Sequence, residues 1–113
     1  MEIINMSREL TKKEIYFLTK AQNIQKMSDQ DEQILELDYW CMYEDTNSDG
    51  KLQTIFSCRT KDGDMIATNS DTFIGSINDM LEVFDKDEIQ TIQVKSGKSK
   101  NNRTFYYAVY VEA

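Results

Sequence analysis

The chain has 113 residues, 40% of them apolar, and a net charge of −7, enough for one modest core and too little for two. No stretch approaches the run of about 18 apolar residues that a membrane-crossing helix needs. The N-terminal MEIINMSREL carries acids and amides where a secretory signal carries a basic patch and an apolar run. A single domain over 1–113, working in the cytoplasm with no membrane partner, is expected.

In chain order, Thr11 with Glu14 three residues on has the form of a capping box. Ile15, Leu18, Ala21 and Ile24 then recur at threes, predicting a short N-terminal helix. The triplet Ile15-Tyr16-Phe17 would equally suit the start of a strand, so this segment is helical or extended. From Ile34 to Glu44 the period becomes two, with Leu35, Leu37, Tyr39, Cys41 and Tyr43 on one face and Glu36, Asp38 and Glu44 on the other. Turn formers fill Asp45 to Gly50, Leu52 to Thr60 reads as the hairpin partner, and Lys61-Asp62-Gly63-Asp64 turns into a third strand, Met65 to Thr68. Asn69, Ser70 and Asp71 are good helix caps, and Phe73, Ile77, Met80, Leu81 and Phe84 follow at helical spacing. Ile89 to Lys95 reads as a strand, Gly97 to Arg103 as a basic turn, and Thr104 to Val111 as a closing strand.

The order β-β-β-α-β-β makes the chain mainly β, with one or two helices. It is the order of a five-stranded OB-type barrel: a meander, a helix, and a closing hairpin. Another five-stranded barrel, or a helix on an open antiparallel sheet, would give the same string.

The chemistry of catalysis is thin. There is no histidine, so the commonest general base at neutral pH is missing, and there is no glycine-rich phosphate loop. No enzymatic reaction and no cofactor are expected. Cys41 and Cys58 lie in apolar strands without a CxxC pair, which predicts buried free thiols and no metal site. Asp45 to Gly50 spells D-x-N-x-D-G, the first half of a calcium loop, but its twelfth position is Phe56 and its flanks read as strands. A hairpin turn is the expectation there.

Charge is segregated along the chain. Asp29 to Gly50 holds eight acids and no base, whereas Ile89 to Val111 holds Lys95, Lys98, Lys100 and Arg103 and no acid. Aromatic residues accompany the cations. Single-stranded nucleic acid is bound by bases stacking on rings while a basic groove follows the phosphates. Trp40 falls on the non-core parity of its strand, and Tyr106 and Tyr110 share one face of the last strand, opposite Phe105 and Tyr107, which are expected in the core. Candidate stacking residues are therefore Trp40, Tyr106 and Tyr110, with Phe56. Candidate phosphate contacts are Arg59, Lys61, Lys95, Lys98, Lys100 and Arg103, extended by Lys20 and Lys26.

Several segments, Lys20-Ala21-Gln22-Asn23-Ile24-Gln25-Lys26-Met27-Ser28-Asp29, Asp38-Tyr39-Trp40-Cys41-Met42-Tyr43-Glu44-Asp45, Arg59-Thr60-Lys61-Asp62-Gly63-Asp64 and Lys95-Ser96-Gly97-Lys98-Ser99-Lys100, give the chain a resemblance to the single-stranded-DNA-binding proteins of phages of Gram-positive bacteria. The ending also resembles the replication proteins of this kind from small protein-primed phages. The turn departs from the pattern, carrying Asn101-Asn102-Arg103 where relatives often have glycine and a basic residue. The resemblance implies an OB-fold that coats and protects single-stranded DNA, without marked sequence preference, during phage replication or recombination in the host cytoplasm. Phage replication proteins are further partners on this view. The alternative, drawn from the acids between Asp29 and Asp49, is an acidic inhibitor that imitates DNA and occupies a host protein.

Overall fold

A computed structural model describes residues 1–112; the meander turns fall where turn chemistry places them, whereas the strand expected over Ile89 to Lys95 runs from Thr91 to Lys98, taking Gly97 and Lys98 out of the expected turn. Strands β1 (Glu2–Met6) and β2 (Gln25–Lys26) precede a meander of β3 (Ile34–Thr46), β4 (Leu52–Thr60) and β5 (Met65–Thr68). The β3–β4 turn is organised by the Asn47 side chain, which accepts from the N–H groups of Asp49 and Lys51 at 2.9 and 3.0 Å, with Gly50 at φ +78°. This is the hairpin expected in place of a calcium loop. Gly63, at φ +93°, closes the β4–β5 turn in the backbone region that glycine reaches without strain. Helix α2 (Asp71–Leu81) starts on Ser70, whose Oγ accepts from the Phe73 N–H, and a last hairpin joins β6 (Thr91–Lys98) to β7 (Thr104–Tyr110). Upstream, helix α1 (Lys12–Thr19) forms on the capping box: Thr11 Oγ1 accepts from the Glu14 N–H, and the Glu14 carboxylate accepts from the Thr11 N–H.

The strands run β2-β5-β4-β3-β6-β7 in one strongly curled half-barrel, so the chain is mainly β with two helices. β3 is its axis. One of its edges pairs with β4 from Leu37 to Thr46, while the other is divided between β6, opposite Ile34 to Glu36, and β1, opposite Cys41 to Glu44. Ser7 bridges the division, donating its N–H to the Trp40 carbonyl and accepting the Trp40 N–H on its Oγ, both at 3.0 Å. β2 pairs in parallel with the outer edge of β5.

One bulge decides which residues are core. Leu37 stands opposite Thr60 and Tyr39 opposite Arg59, so Asp38 is an extra residue and the alternation of faces reverses there. Leu35 and Leu37 enter the main core with Trp40 and Met42, beneath α2 and its Phe73 and Ile77. Tyr39, Cys41 and Tyr43 enter a second cluster with Leu10 of the β1–α1 connection and Leu18 of α1. The Ser57 hydroxyl ties this second layer down, donating to the Leu18 carbonyl at 2.7 Å. The single face expected for Leu35 through Tyr43 is therefore corrected: period two holds on either side of Asp38 but not across it.

Two expected stacking residues are core instead, Trp40 because the bulge turns it inward and Phe56 because its strand face lies in the main core beside Phe73. Trp40 is 0% exposed, its ring 5.6 Å from that of Phe56, which is also 0% exposed and in turn 5.9 Å from that of Phe73. Both are core side chains. Cys41 and Cys58 are free and buried as expected, in different clusters, and burial pushes each thiol up to about 12.

Phe56→Ala is expected to cost about 3–5 kcal/mol in urea unfolding, and native Trp40 fluorescence should resist iodide quenching until the chain unfolds. The Glu14 carboxylate, held by Arg8 and by the Thr11 N–H, has its pKa lowered from 4.5 to about 2. Because the folded value lies below the unfolded one, this stabilisation is present above about pH 4.5 and lost as pH falls toward 2. The melting temperature should thus fall less between pH 5 and 2 in Glu14→Gln than in the parent.

Candidate nucleic-acid interface

On the β6–β7 hairpin, three exposed cations meet rings that are not fully buried. Its register pairs Ser96 with Tyr106, Lys95 with Tyr107 and Gly97 with Phe105. Ala108, buried, lies in the main core, and Tyr106 and Tyr110 pack against it. Alternation then turns Phe105, Tyr107 and Val109 to the opposite, outward face together with Lys95. Sequence parity had these faces reversed: Phe105 and Tyr107 are half-buried outer residues, not core, and Val109 is 38% exposed. The two outward rings lie 6.0 Å apart.

Gly97 makes the arrangement possible. A Cβ built there would stand 2.6 Å from Phe105 Cζ, so the tip of the Phe105 ring occupies the space that a side chain at Gly97 would fill. Beyond it, the turn from Ser99 to Arg103 is closed by the Ser99 N–H donating to the Arg103 carbonyl at 2.9 Å, with Asn102 at φ +60°. Asn is among the residues that tolerate this left-handed conformation. Lys98, Lys100 and Arg103 are all exposed here, and none of them takes part in an ion pair among the described residues.

The remaining expected residues divide among other places. Tyr110 is taken up by Phe84, stacked on it at 4.1 Å with the planes 9° apart, so its ring face is occupied from within. Lys95 pairs with Glu32 at 3.1 Å, and Lys20 with Asp45 at 3.4 Å. Arg59 stands across the strands from Tyr39, whose phenol raises the guanidinium pKa, while Arg8 lies 5.0 Å over the Tyr39 ring. Arg59 thus sits beside a buried tyrosine, away from the hairpin. Lys61 lines a cavity of about 260 Å³ at the Asp38 bulge, together with Asp38 and Asp87. Its N–H donates to the Glu36 carbonyl, and Glu36 faces Thr91. From Thr91 to Lys98 is seven residues, roughly 23 Å along an extended strand, so Arg59 and Lys61 are remote from the hairpin tip.

Lys26 and Tyr106 do come together, as lining residues of a groove of about 500 Å³ on the inner side of the same hairpin. Gln53, Ile55 and Asn69 also line it. Sequence parity passed over the two amides because neither belongs to a motif. The outward rings carried a signal in Gly97, the one residue of the β6 pattern without a side chain.

No protein-family model, curated protein or solved structure matches the chain. Among the described residues no helix is long and apolar enough to cross a membrane.

Gly97→Ala is expected to displace the Phe105 ring and cost about 1 kcal/mol. In a double-mutant cycle with Phe105→Ala that cost should largely disappear, since the atoms in conflict are gone.

Proposed function

We propose that the chain binds single-stranded DNA through the β6–β7 hairpin, and that its half-barrel is an OB-type barrel left open between β7 and the β5 side, whose outer edge β2 covers. The meander β3–β5, the helix α2 and the hairpin β6–β7 follow in the order such a barrel needs, and β6 pairs with the first part of β3 as the closing hairpin should. The loop between the last two strands is one of the places where this architecture binds oligonucleotides.

The observation that carries the reading is the conjunction on one hairpin: three exposed cations without anionic partners, followed by two outward rings 6.0 Å apart. Phe105 and Tyr107 offer stacking surfaces, worth on the order of 1–3 kcal/mol per base, and Lys98, Lys100 and Arg103 neutralise phosphates. Bases presented to ring faces are accepted whatever their identity, so the outer face binds without marked sequence preference. Coating of phage DNA during replication or recombination in the host cytoplasm is the role that fits this chemistry.

An acidic decoy would concentrate its carboxylates on one face. Here Asp29 and Asp31 precede β3, Asp45 lies at its far end, and Asp49 lies in the turn beyond, while Asp45 and Glu32 are paired with lysines.

In an oligo(dT) titration, log affinity should fall with log salt with a slope of about −2 for three phosphate contacts. Arg103→Glu should flatten that slope by roughly 0.7 and weaken binding to all sequences alike. Salt-independent binding, or a preference for duplex, would contradict the proposal.

A further inference from the structure

The inner side of the hairpin carries a second, chemically different site. The groove of about 500 Å³ has no carboxylate in its lining, although the chain holds 20 Asp and Glu. Tyr43, Tyr106 and Ile55 are among its lining residues, and Lys26 is its one charged residue. At its rim, Asn69 Nδ2 donates to Gln53 Oε1 at 3.1 Å. This bond joins the two amides, and the Gln53 amino group and the Asn69 carbonyl oxygen take part in no other hydrogen bond among the described residues, which leaves one donor and one acceptor. A donor and an acceptor at the rim of a largely apolar groove are the complement of a nucleobase edge, where an N–H and a carbonyl are adjacent. The volume admits one base and its sugar but not a duplex step, and Lys26 supplies the charge for a single phosphate.

We propose that this groove takes one nucleobase edge-on, read by the Gln53–Asn69 amide pair, with its 5′-phosphate at Lys26. The inference deepens the single-stranded-DNA reading and rests on it where the base belongs to a strand. The groove adds what the outer face lacks, a contact that depends on the hydrogen-bonding edge of one base. Because Tyr106 faces the groove while Phe105 and Tyr107 face outward, β7 presents rings to both sides, and a strand passing over the hairpin tip meets both.

The test compares two oligonucleotides of ten thymidines, one unmodified and one with N3-methylthymine throughout, which keeps the ring but loses the edge N–H. The parent protein should bind the unmodified strand about tenfold more tightly. In Asn69→Ala, an exposed position whose change leaves the core intact, the two should bind equally, and the salt slope should fall by no more than the one Lys26 contact, roughly 0.7. Equal affinity of the two strands for the parent, or a preference that persists in Asn69→Ala, would overturn the groove assignment. Thymidine 5′-monophosphate, followed by NMR at millimolar concentration, separates the two readings. If neither strand binds, the hairpin reading fails, and shifts of the Asn69 and Tyr106 resonances on adding the mononucleotide would still support the groove as a site for a free nucleotide. Their absence would overturn it, whereas Arg103→Glu should leave mononucleotide binding unchanged.

Discussion

Everything in this fold is arranged around a strand that is buried on both faces. From Tyr39 to Tyr43 five consecutive residues of β3 are withdrawn from water, Trp40 and Met42 beneath α2 and the others beneath α1 and its neighbours. A strand in that position needs both faces covered and both edges paired, because an unsatisfied backbone group in such a place costs about 1–3 kcal/mol. The chain meets the second requirement by dividing one edge of β3 between β6 and β1 and closing the gap with Ser7. The curl that brings β6 and β7 round to the main core follows from the same strand, whose extra residue at Asp38 bends it.

That constraint explains which parts of the fold were legible in the sequence. Turns and caps are local: Asn47, Gly50, Gly63, Ser70 and the Thr11–Glu14 box act on backbone within a few residues, and each stands where its chemistry places it. The β-β-β-α-β-β series, written in those turns, was therefore readable. Strand β1 was not, because five residues with weak alternation become a strand only by finding the open half of a distant edge. Nor was the parity of Trp40, since a bulge depends on the partner strand: alternation from Leu35 onward assigns Trp40 to solvent, and the Leu37–Thr60 and Tyr39–Arg59 register moves it inside. β7 shows the complementary difficulty. With aromatics on both of its faces, composition alone could not say which side α2 covers, and the Ala108 N–H donating to Ser76 Oγ of that helix fixes the answer.

The electrostatics of the candidate interface depend on pairing rather than on totals. A net charge of −7 opposes the approach of a polyanion, yet several cations are already matched: Arg8 with Glu14, Lys20 with Asp45, and Lys95 with Glu32. Those pairs contribute little to attraction at a distance. Lys98, Lys100 and Arg103 sit on a turn that projects from the anionic body, where a local positive field survives to within about a Debye length, roughly 8–10 Å at ordinary salt. The hairpin thus sets three exposed cations that take part in no ion pair beside the outward rings of Phe105 and Tyr107, the combination on which the proposed binding of a single strand rests.

The most direct test of this account is an NMR map of the chain with and without oligo(dT). The account predicts that resonances of the turn from Lys98 to Arg103 and the ring signals of Phe105 and Tyr107 move on binding, while the indole N–H of Trp40 stays where it is. A map in which Trp40 and the Arg59–Lys61 turn respond and the hairpin does not would contradict it.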